Sequence, residues 1–264
     1  MEGCTRPTNN NAYSPSKKHP HPTLFHIYKH SILNWRIYLI NQHRQDSSIF
    51  FRTHNMLHLL FDPLCGWCYG AAPALSALKT HTNLKWQLHP TGLFSHPQAM
   101  NAEMASYFWS NDQRIAQMTG QEFSQAYKEQ ILADLDTPFD SSASTLAYYL
   151  ISQAVPDQSV DVLHRVQQLR YAKGTQEAAA FIELAAEFGL DAGQFAKDFA
   201  AGWPKELRAI TQKAQSLMQE NGLRGVPTLL LQKGGQLSVV PSSLMYQDPQ
   251  DLIDFVAKQP LLHS

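Results

Sequence analysis

The sequence predicts an α/β domain that is interrupted by one long all-helical insertion. Three observations lead to this prediction: strand and helix patterns alternate before residue 97, only helical patterns occur from there to about residue 222, and strand patterns return after residue 225. The chain has 264 residues, of which 44% are hydrophobic and 16% are charged. That length is enough for one good core and a second subdomain.

The first part of the predicted α/β domain covers residues 56–97 and reads as strand, helix and strand. Residues 58–61 form a short apolar run that ends at a break containing proline. Residues 71–79 have helical composition, and Pro73 is expected to kink that helix. Residues 84–88 alternate apolar and polar side chains as a half-buried strand does, so the order is that of a βαβ unit at its start.

The predicted insertion covers residues 98–221, where Ala, Gln, Glu and Leu dominate. Apolar residues recur there at helical spacing, as at Phe181, Leu184, Ala185 and Phe188. The breaks between these runs predict five to seven helices and no strand.

The second part of the α/β domain covers residues 222–264 and begins with a compact apolar strand run at residues 226–231. Gly234-Gly235 predicts a hairpin turn into a further strand. A last helix is expected over residues 249–258, because Asp248 is a suitable N-cap and a proline follows it at the first helical position.

Residues 1–55 differ from the rest of the chain in composition. They hold seven Lys or Arg, two acidic residues and six of the twelve His, and they open with an Asn-, Pro- and His-rich run that cannot fold by itself. No basic segment leads into a clean apolar stretch with a cleavage site, so a secretory signal is not expected. We predict a disordered or spurious extension, with the globular protein beginning at Met56.

Charge and cysteine content exclude several functional classes. The net charge is −1, which gives no reason to expect nucleic acid or an anionic membrane as a partner. No stretch reaches the roughly 18 uninterrupted apolar residues that span a bilayer. The three cysteines, Cys4, Cys65 and Cys68, are too few for a secreted disulfide scaffold, and a cytoplasmic location is predicted.

Cys65 and Cys68 are three residues apart at the start of a predicted helix, directly after a strand. Unpaired N–H groups and the helix dipole favour negative charge there, so the first thiol ionises more readily. Cys65 would then attack a substrate disulfide, and Cys68 would resolve the mixed disulfide. The alternative is half of a zinc site, but zinc needs four ligands and the sequence has no second pair with the required spacing, so no metal is predicted.

Pro227 is the second feature that points to thiol chemistry. It opens an apolar strand directly after Gly225-Val226, beyond the insertion. An ordinary strand-opening proline is the simpler interpretation. A cis Val226–Pro227 bond would instead leave the backbone groups of Val226 free to pair with an extended substrate chain.

Taken together, these motifs resemble the thioredoxin fold with a helical insertion, as in the DsbA family, and within it the FrnE-like cytoplasmic group of predicted protein-disulfide isomerases. The match rests on residues 62–70, Asp-Pro-Leu-Cys-Gly-Trp-Cys-Tyr-Gly, and on residues 225–228, Gly-Val-Pro-Thr. Less specific insertion motifs lie at residues 91–94, 114–120 and 170–174. The resemblance extends from about residue 56 to the C-terminus.

The resemblance implies Cys65 as the attacking thiol, Cys68 as the resolving thiol and Pro227 as a cis-proline that faces them. Trp67, Val226 and Pro227 are the expected substrate contacts. Protein or small-thiol disulfides are the expected substrates, with no metal or organic cofactor and with glutathione as a candidate co-substrate.

Two departures from the family pattern bear on the direction of electron flow. Gly66-Trp67 replaces the proline–histidine dipeptide of strongly oxidising periplasmic members, and the strand before the motif carries no acid except Asp62 at its end. Gly66 and Asp62 are therefore predicted to tune the site. Reductase or isomerase activity is expected rather than bulk disulfide formation.

Two other functions remain open at this point. One is a glutathione-dependent transferase or isomerase of the kappa type, related to the chromene-carboxylate isomerases, and the other is a metal-binding or redox-sensing adaptor. Beside the main motifs, His58 and His89 are expected to be structural histidines and Arg170 a solvated helix end. The sequence does not indicate an oligomeric state.

Overall fold

The computed structural model describes residues 55–258. The predictions for the basic leader and Cys4 lie outside the described residues. Between residues 55 and 258, no helix is long and apolar enough to cross a membrane.

A four-stranded mixed sheet forms the centre of the domain, with the strand order β2-β1-β3-β4. The central strand β1 runs parallel to β2 and antiparallel to β3, and β3 pairs with β4 through a hairpin. The first two strands come from before the insertion and the last two from after it, as predicted. Their bounds are Met56–Phe61 for β1, Lys85–Pro90 for β2, Thr228–Lys233 for β3 and Gln236–Val239 for β4.

Six α-helices lie between β2 and β3, within the five to seven predicted for that segment. Two short turns of other helix types, a π-helix at Tyr127–Leu132 and a 3₁₀-helix at Pro156–Gln158, separate some of them. The six are α3 (Ala102–Thr119), α4 (Ser142–Ala154), α5 (Ser159–Tyr171), α6 (Ala178–Glu187), α7 (Ala192–Ala200) and α8 (Lys205–Glu220). After β4 come a 3₁₀-helix, Ser242–Tyr246, and the predicted last helix α9, Pro249–Lys258.

The helix that follows β1 is broken in two, as Pro73 predicts. Helix α1 covers Gly66–Gly70 and α2 covers Ala72–His81, with Ala71 between them. Proline has no N–H to donate to the carbonyl of Tyr69 four residues earlier. That carbonyl instead accepts a hydrogen bond from the Gln121 side chain at 2.9 Å, which connects α1 to the segment after α3.

The two faces of the sheet bury different kinds of side chain. On β1, Leu57, Leu59 and Phe61 enter the main hydrophobic core, which α2, α4, α5 and α9 also line. On the opposite face His58 bonds through Nδ1 to His89 at 3.0 Å and through Nε2 to Gln232 at 2.8 Å. Burial lowers the pKa of both histidines, that of His89 to about 3, so they are the neutral structural histidines that were predicted.

A second, smaller core lies between α1 and the insertion. It is mainly aromatic, and its rings pack edge-on or stacked at centroid distances near 5 Å, as between Tyr69 and Tyr171 at 4.9 Å. This aromatic core holds one wall of the cysteine motif in place. Its buried members are Tyr69, Ile115, Phe123, Tyr127, Leu132 and Tyr171.

Candidate active site

Cys65 occupies the N-cap position of α1, where the chain turns from β1 into the helix. Its backbone is extended, and its N–H donates to the Asp62 carbonyl at 3.1 Å. The side-chain thiol donates to the Val226 carbonyl oxygen, with 3.4 Å between sulfur and oxygen. The structure therefore brings together Cys65 and the Val226-Pro227 segment, which are 161 residues apart in the sequence.

Cys68 lies one helical turn behind Cys65 and is more deeply buried, with 2% of its surface exposed against 8% for Cys65. Both are free thiols in this structure. Burial raises the pKa of the Cys68 thiol well above its usual value, and the hydrogen bond and charge of Cys65 raise it further. Both residues are largely buried, and Cys65 is the less buried of the two.

The Val226–Pro227 peptide bond is cis. Both residues line a groove of about 750 Å³ beside the cysteine motif. Trp67 closes one side of this groove, where its ring packs edge-on against Tyr246 with centroids 5.0 Å apart. The three predicted substrate contacts, Trp67, Val226 and Pro227, thus share one groove.

Asp62 lies at the end of β1 and is fully buried. Its carboxyl accepts hydrogen bonds from the backbone N–H groups of Leu64 and Phe94, each at 3.0 Å, and from the Ser141 hydroxyl at 2.9 Å. Burial raises the pKa of Asp62, while these three hydrogen bonds act to lower it. The charge of Asp62 also contributes to the raised pKa of Cys68.

The insertion packs tightly against the backbone of α1 at Gly66 and Gly70. A Cβ atom at this position would lie 2.4 Å from Oδ1 of Asp112, and one at Gly70 would lie 2.4 Å from Ile115. Real Cβ atoms do not approach other atoms so closely. The two glycines, one helical turn apart, therefore let α3 lie directly against the backbone of α1.

Asp112 is a site residue that the sequence reasoning missed. It is 6% exposed and accepts a hydrogen bond from the Tyr127 hydroxyl at 2.8 Å. Burial raises the pKa of its carboxyl to about 7, although the Tyr127 hydrogen bond and the charge of Arg170 both oppose this. Together with Cys65, it lines a pocket of about 150 Å³ whose other walls are mostly aromatic.

A sequence signal for Asp112 exists in the spacing of α3. Phe108, Asp112 and Ile115 recur at intervals of four and three, so the carboxyl falls on the apolar face of the helix. A charged residue in that stripe is rarely buried without a partner.

Arg170 corrects a prediction, because it is not a solvated helix end. It is 4% exposed, and its guanidinium lies 5.5 Å from the ring centroids of Tyr127 and Phe139 and 5.9 Å from that of Tyr171. Arginine stacks well on aromatic faces, and these rings come from three separate parts of the insertion. Its spacing from Leu163 and Val166, at intervals of three and four, places it on the apolar face of α5, but a charged residue there is usually solvated.

The alternative of a metal site needs several ligands close together. Among residues 55–258, no three His, Cys, Asp or Glu side chains converge as a metal site requires.

The sequence was compared with protein-family models and with known proteins. Residues 56–253 match the family model of the DSBA-like thioredoxin domain. Among curated proteins, none matches the sequence.

Several solved structures are similar to the chain. The cytosolic disulfide reductase DsbM from Pseudomonas aeruginosa is 36% identical with a TM-score of 0.68, over 77% of this chain and 98% of that one. The same protein has been solved with glutathione (GSH), and that structure superposes with a TM-score of 0.67.

Two more distant structures share the fold. A Nitrosomonas europaea protein proposed to be a protein disulfide isomerase is 19% identical, with a TM-score of 0.63 over 78% of this chain and 99% of that one. A 2-hydroxychromene-2-carboxylate isomerase is 16% identical, with a TM-score of 0.52 over 77% of this chain and 97% of that one.

Proposed function

We propose that this chain, which belongs to the DSBA-like thioredoxin family and is a thiol–disulfide oxidoreductase of the DsbA type, works as a cytoplasmic disulfide reductase or isomerase through Cys65 and Cys68. The observation that carries the proposal is the hydrogen bond from the Cys65 thiol to the carbonyl of Val226, a residue that lines a groove, with Cys68 buried behind Cys65. The absence of a membrane-spanning helix between residues 55 and 258 is compatible with this location.

The reaction follows from the different burial of the two sulfurs. Cys65, as a thiolate, attacks one sulfur of the substrate disulfide, and a Cys65–substrate disulfide forms while the other substrate sulfur leaves with the bonding electron pair. Cys68 then attacks the Cys65 sulfur and releases the second substrate thiolate. The substrate gains two electrons and two protons, and the Cys65–Cys68 dithiol becomes a disulfide.

The resolving thiol stays protonated until it is needed. Burial and the neighbouring Cys65 raise the pKa of Cys68, so this sulfur keeps its proton in the reduced protein. Once Cys65 is tied up in a mixed disulfide it no longer carries charge, which removes one of the effects that disfavour the Cys68 thiolate. This order prevents both sulfurs from reacting with separate substrates.

The groove next to Cys65 suits an extended thiol-containing chain such as a peptide or glutathione. Trp67 and Tyr246 provide apolar surface, and the Val226 backbone lies at the position from which an extended chain is paired. Glutathione is a reasonable electron donor, because the 36% identical disulfide reductase has been solved with it. Two glutathione molecules would return the disulfide to the dithiol and leave as glutathione disulfide.

The reducing direction is proposed from the spacer and from the cytoplasmic setting. Gly66-Trp67 provides no histidine next to the attacking sulfur, unlike the strongly oxidising members of the family. A glutathione-rich compartment keeps most dithiols reduced. Both points favour a protein that delivers electrons to disulfides over one that withdraws them.

Trapping of mixed disulfides tests the proposal. We expect Cys68→Ala to accumulate covalent adducts on Cys65 with glutathione disulfide and with a scrambled protein disulfide, as measured by intact mass. Cys65→Ala should form none, and Cys4→Ala, the matched control at the only other cysteine, should behave like the wild type. Adducts that form equally in the Cys65→Ala variant would contradict the assignment of the attacking thiol.

The same variants separate this function from a glutathione-dependent transferase or isomerase. Such an enzyme has no need of a resolving thiol, so its turnover would survive Cys68→Ser. We expect Cys68→Ser to abolish catalytic reduction of protein disulfides.

A further inference from the structure

We propose that Asp112, supplied by the helical insertion, is the acid–base group that accepts the proton of the Cys65 thiol and returns it to the leaving thiolate of the substrate. The inference rests on the proposed function and adds a catalytic residue to it. No motif assigns this role, because Asp112 lies on α3, outside the start of α1 that carries the cysteines.

The position of Asp112 is the first observation. Its Oδ1 lies directly against the backbone of Gly66, the residue after the attacking cysteine. Asp112 and Cys65 line the same pocket of about 150 Å³. A substrate sulfur that reaches Cys65 through this pocket therefore meets the carboxyl.

The partners of the carboxyl are the second observation. Among residues 55–258, the only hydrogen-bond donor to it is the Tyr127 hydroxyl, which occupies Oδ2. Oδ1 is the oxygen that faces Gly66. One carboxylate oxygen is thus held by the protein while the other is placed to exchange a proton.

The charged and titratable groups around Asp112 come from every element that packs on it. Tyr127 belongs to the π-helix, Arg170 and Tyr171 to α5, and Cys65 to the motif. The Tyr171 hydroxyl is engaged with the Leu64 carbonyl at 2.8 Å, and the Arg170 guanidinium lies among aromatic rings. Since tyrosine and arginine hold their protons near neutral pH, Asp112 is the group in this set whose carboxyl titrates close to the operating pH, with a pKa of about 7.

The proton path balances without another reactant. The Cys65 thiol gives its proton to the Asp112 carboxylate, and the thiolate attacks the substrate disulfide. As the substrate S–S bond breaks, the leaving sulfur takes the electron pair and receives the proton from the Asp112 carboxylic acid. Asp112 ends as the carboxylate with which it began.

Two disulfides with different leaving groups test the role. Glutathione disulfide releases an alkyl thiolate, which is basic and benefits from a proton donor. 5,5′-Dithiobis(2-nitrobenzoic acid) releases an aromatic thiolate that leaves without one. We measure the rate at which the reduced full-length protein reacts with each disulfide, for the wild type, Asp112→Asn and the exposed control Asp157→Asn.

We expect Asp112→Asn to slow the reaction with glutathione disulfide about 10²-fold, the lower end of what general acid–base catalysis contributes. Its rate with the aromatic disulfide should fall much less, because that reaction loses only the acceptor for the Cys65 proton and not the donor to the leaving thiolate, and Asp157→Asn should change neither rate. Equal losses with both disulfides would indicate a purely structural residue and overturn the inference, as would no loss or a gain. A wild-type protein that reduces neither disulfide contradicts the proposed function itself.

The pH dependence of the wild-type rates gives a second test, which can be carried out even if Asp112→Asn does not fold. The ratio of the two wild-type rates, glutathione disulfide over aromatic disulfide, cancels the ionisation of Cys65. It should fall as the pH rises through about 7, where Asp112 loses its proton. In Tyr127→Phe the fall should move to higher pH, because the lost hydrogen bond is one that lowers the pKa of Asp112. An unchanged ratio profile in Tyr127→Phe overturns the inference.

Discussion

The cysteine motif lies between two buried carboxyls that are partnered very differently. On the strand side, Asp62 receives three hydrogen bonds from two backbone N–H groups and a hydroxyl. On the insertion side, Asp112 receives one, from the Tyr127 hydroxyl, and faces a pocket. Burial raises the pKa of both carboxyls. Only Asp62 has several donors, and through them it connects the end of β1 to the segments that contain Phe94 and Ser141. The number of donors, more than depth, distinguishes a structural acid from one that is placed to exchange protons.

The largest expected effect is on the pH dependence of the free energy of unfolding, and it comes from Asp112 on the insertion side of the cysteine motif. The pKa of Asp112 rises from an ordinary 3.8 to about 7 on folding, so the unfolded chain releases this proton earlier than the folded one. The wild type therefore loses stability between about pH 4 and pH 7, by about 4 kcal/mol in total at about 1.4 kcal/mol per pKa unit. We expect Asp112→Asn to gain that amount relative to the wild type over this range.

Urea unfolding at pH 4.5 and pH 8 measures this gain in the free energy of unfolding. Asp157→Asn, at an exposed site, serves as the control and should show a difference from the wild type that does not change with pH. If the difference in unfolding free energy between Asp112→Asn and the wild type is the same at both pH values, the raised pKa of Asp112 is contradicted. Together with the kinetic test, the expected outcome is a variant that is more stable and less active.

Removal of the Asp62 carboxyl should have the next largest effect. Asp62→Ala leaves the N–H groups of Leu64 and Phe94 and the Ser141 hydroxyl without their acceptor. Unsatisfied buried donors cost about 1–3 kcal/mol each, but water entering the space lowers the total, so we expect a loss of about 3 kcal/mol. The free energy of unfolding at pH 7 measures it, with the exposed helix N-cap variant Asp191→Ala, expected to lose about 1 kcal/mol, as the comparison. If Asp62→Ala loses no more unfolding free energy than Asp191→Ala, the three hydrogen bonds of Asp62 do not connect these segments as described.

A smaller loss of unfolding free energy is expected from substitution of Gly66, which lies between the cysteine motif and α3. In Gly66→Ala the new Cβ would meet Oδ1 of Asp112 at 2.4 Å, so the buried Asp112 side chain or α3 itself must shift. Overpacking of this kind costs about 1–3 kcal/mol, and the better helix propensity of alanine returns about 1 kcal/mol, which leaves a net loss near 1 kcal/mol. Gly193→Ala, in the first turn of α7, meets only Oδ1 of the exposed Asp191 side chain, at 3.3 Å, and should be close to neutral.

A double-mutant cycle makes this prediction specific to the contact. If Asp112 is the clashing group, Gly66→Ala should cost nothing in an Asp112→Ser background. A cost that is the same in both backgrounds would place the conflict elsewhere.

The strand side of the site could be predicted from the sequence because its residues are chemically distinctive. Two cysteines three apart after an apolar run, and a proline that opens a later strand, each have few structural interpretations. The strands themselves follow from alternation. Several boundaries differ by one to three residues. The run at residues 226–231 forms its strand at Thr228–Lys233, and the strand predicted over residues 84–88 extends to Pro90, because an edge strand tolerates a residue that lacks an N–H.

The insertion side could not be predicted in the same way. Asp112 and Arg170 are ordinary charged residues on amphipathic helices, and such residues usually face solvent. Their burial depends on rings of Tyr127, Phe139 and Tyr171, which approach each other only after α3, the π-helix and α5 have packed. Helical spacing indicates which face of each helix is apolar, but it does not say which faces meet.

The bond between Cys65 and Val226 links the oxidation state of the protein to what the groove offers a substrate. In the dithiol form the Cys65 thiol donates its hydrogen to the Val226 carbonyl. Neither a thiolate nor a disulfide sulfur carries a hydrogen, so the same carbonyl loses its donor once Cys65 ionises and reacts. A backbone N–H of a bound chain can then donate to the same oxygen, so this acceptor becomes available to a substrate only when Cys65 no longer carries its hydrogen.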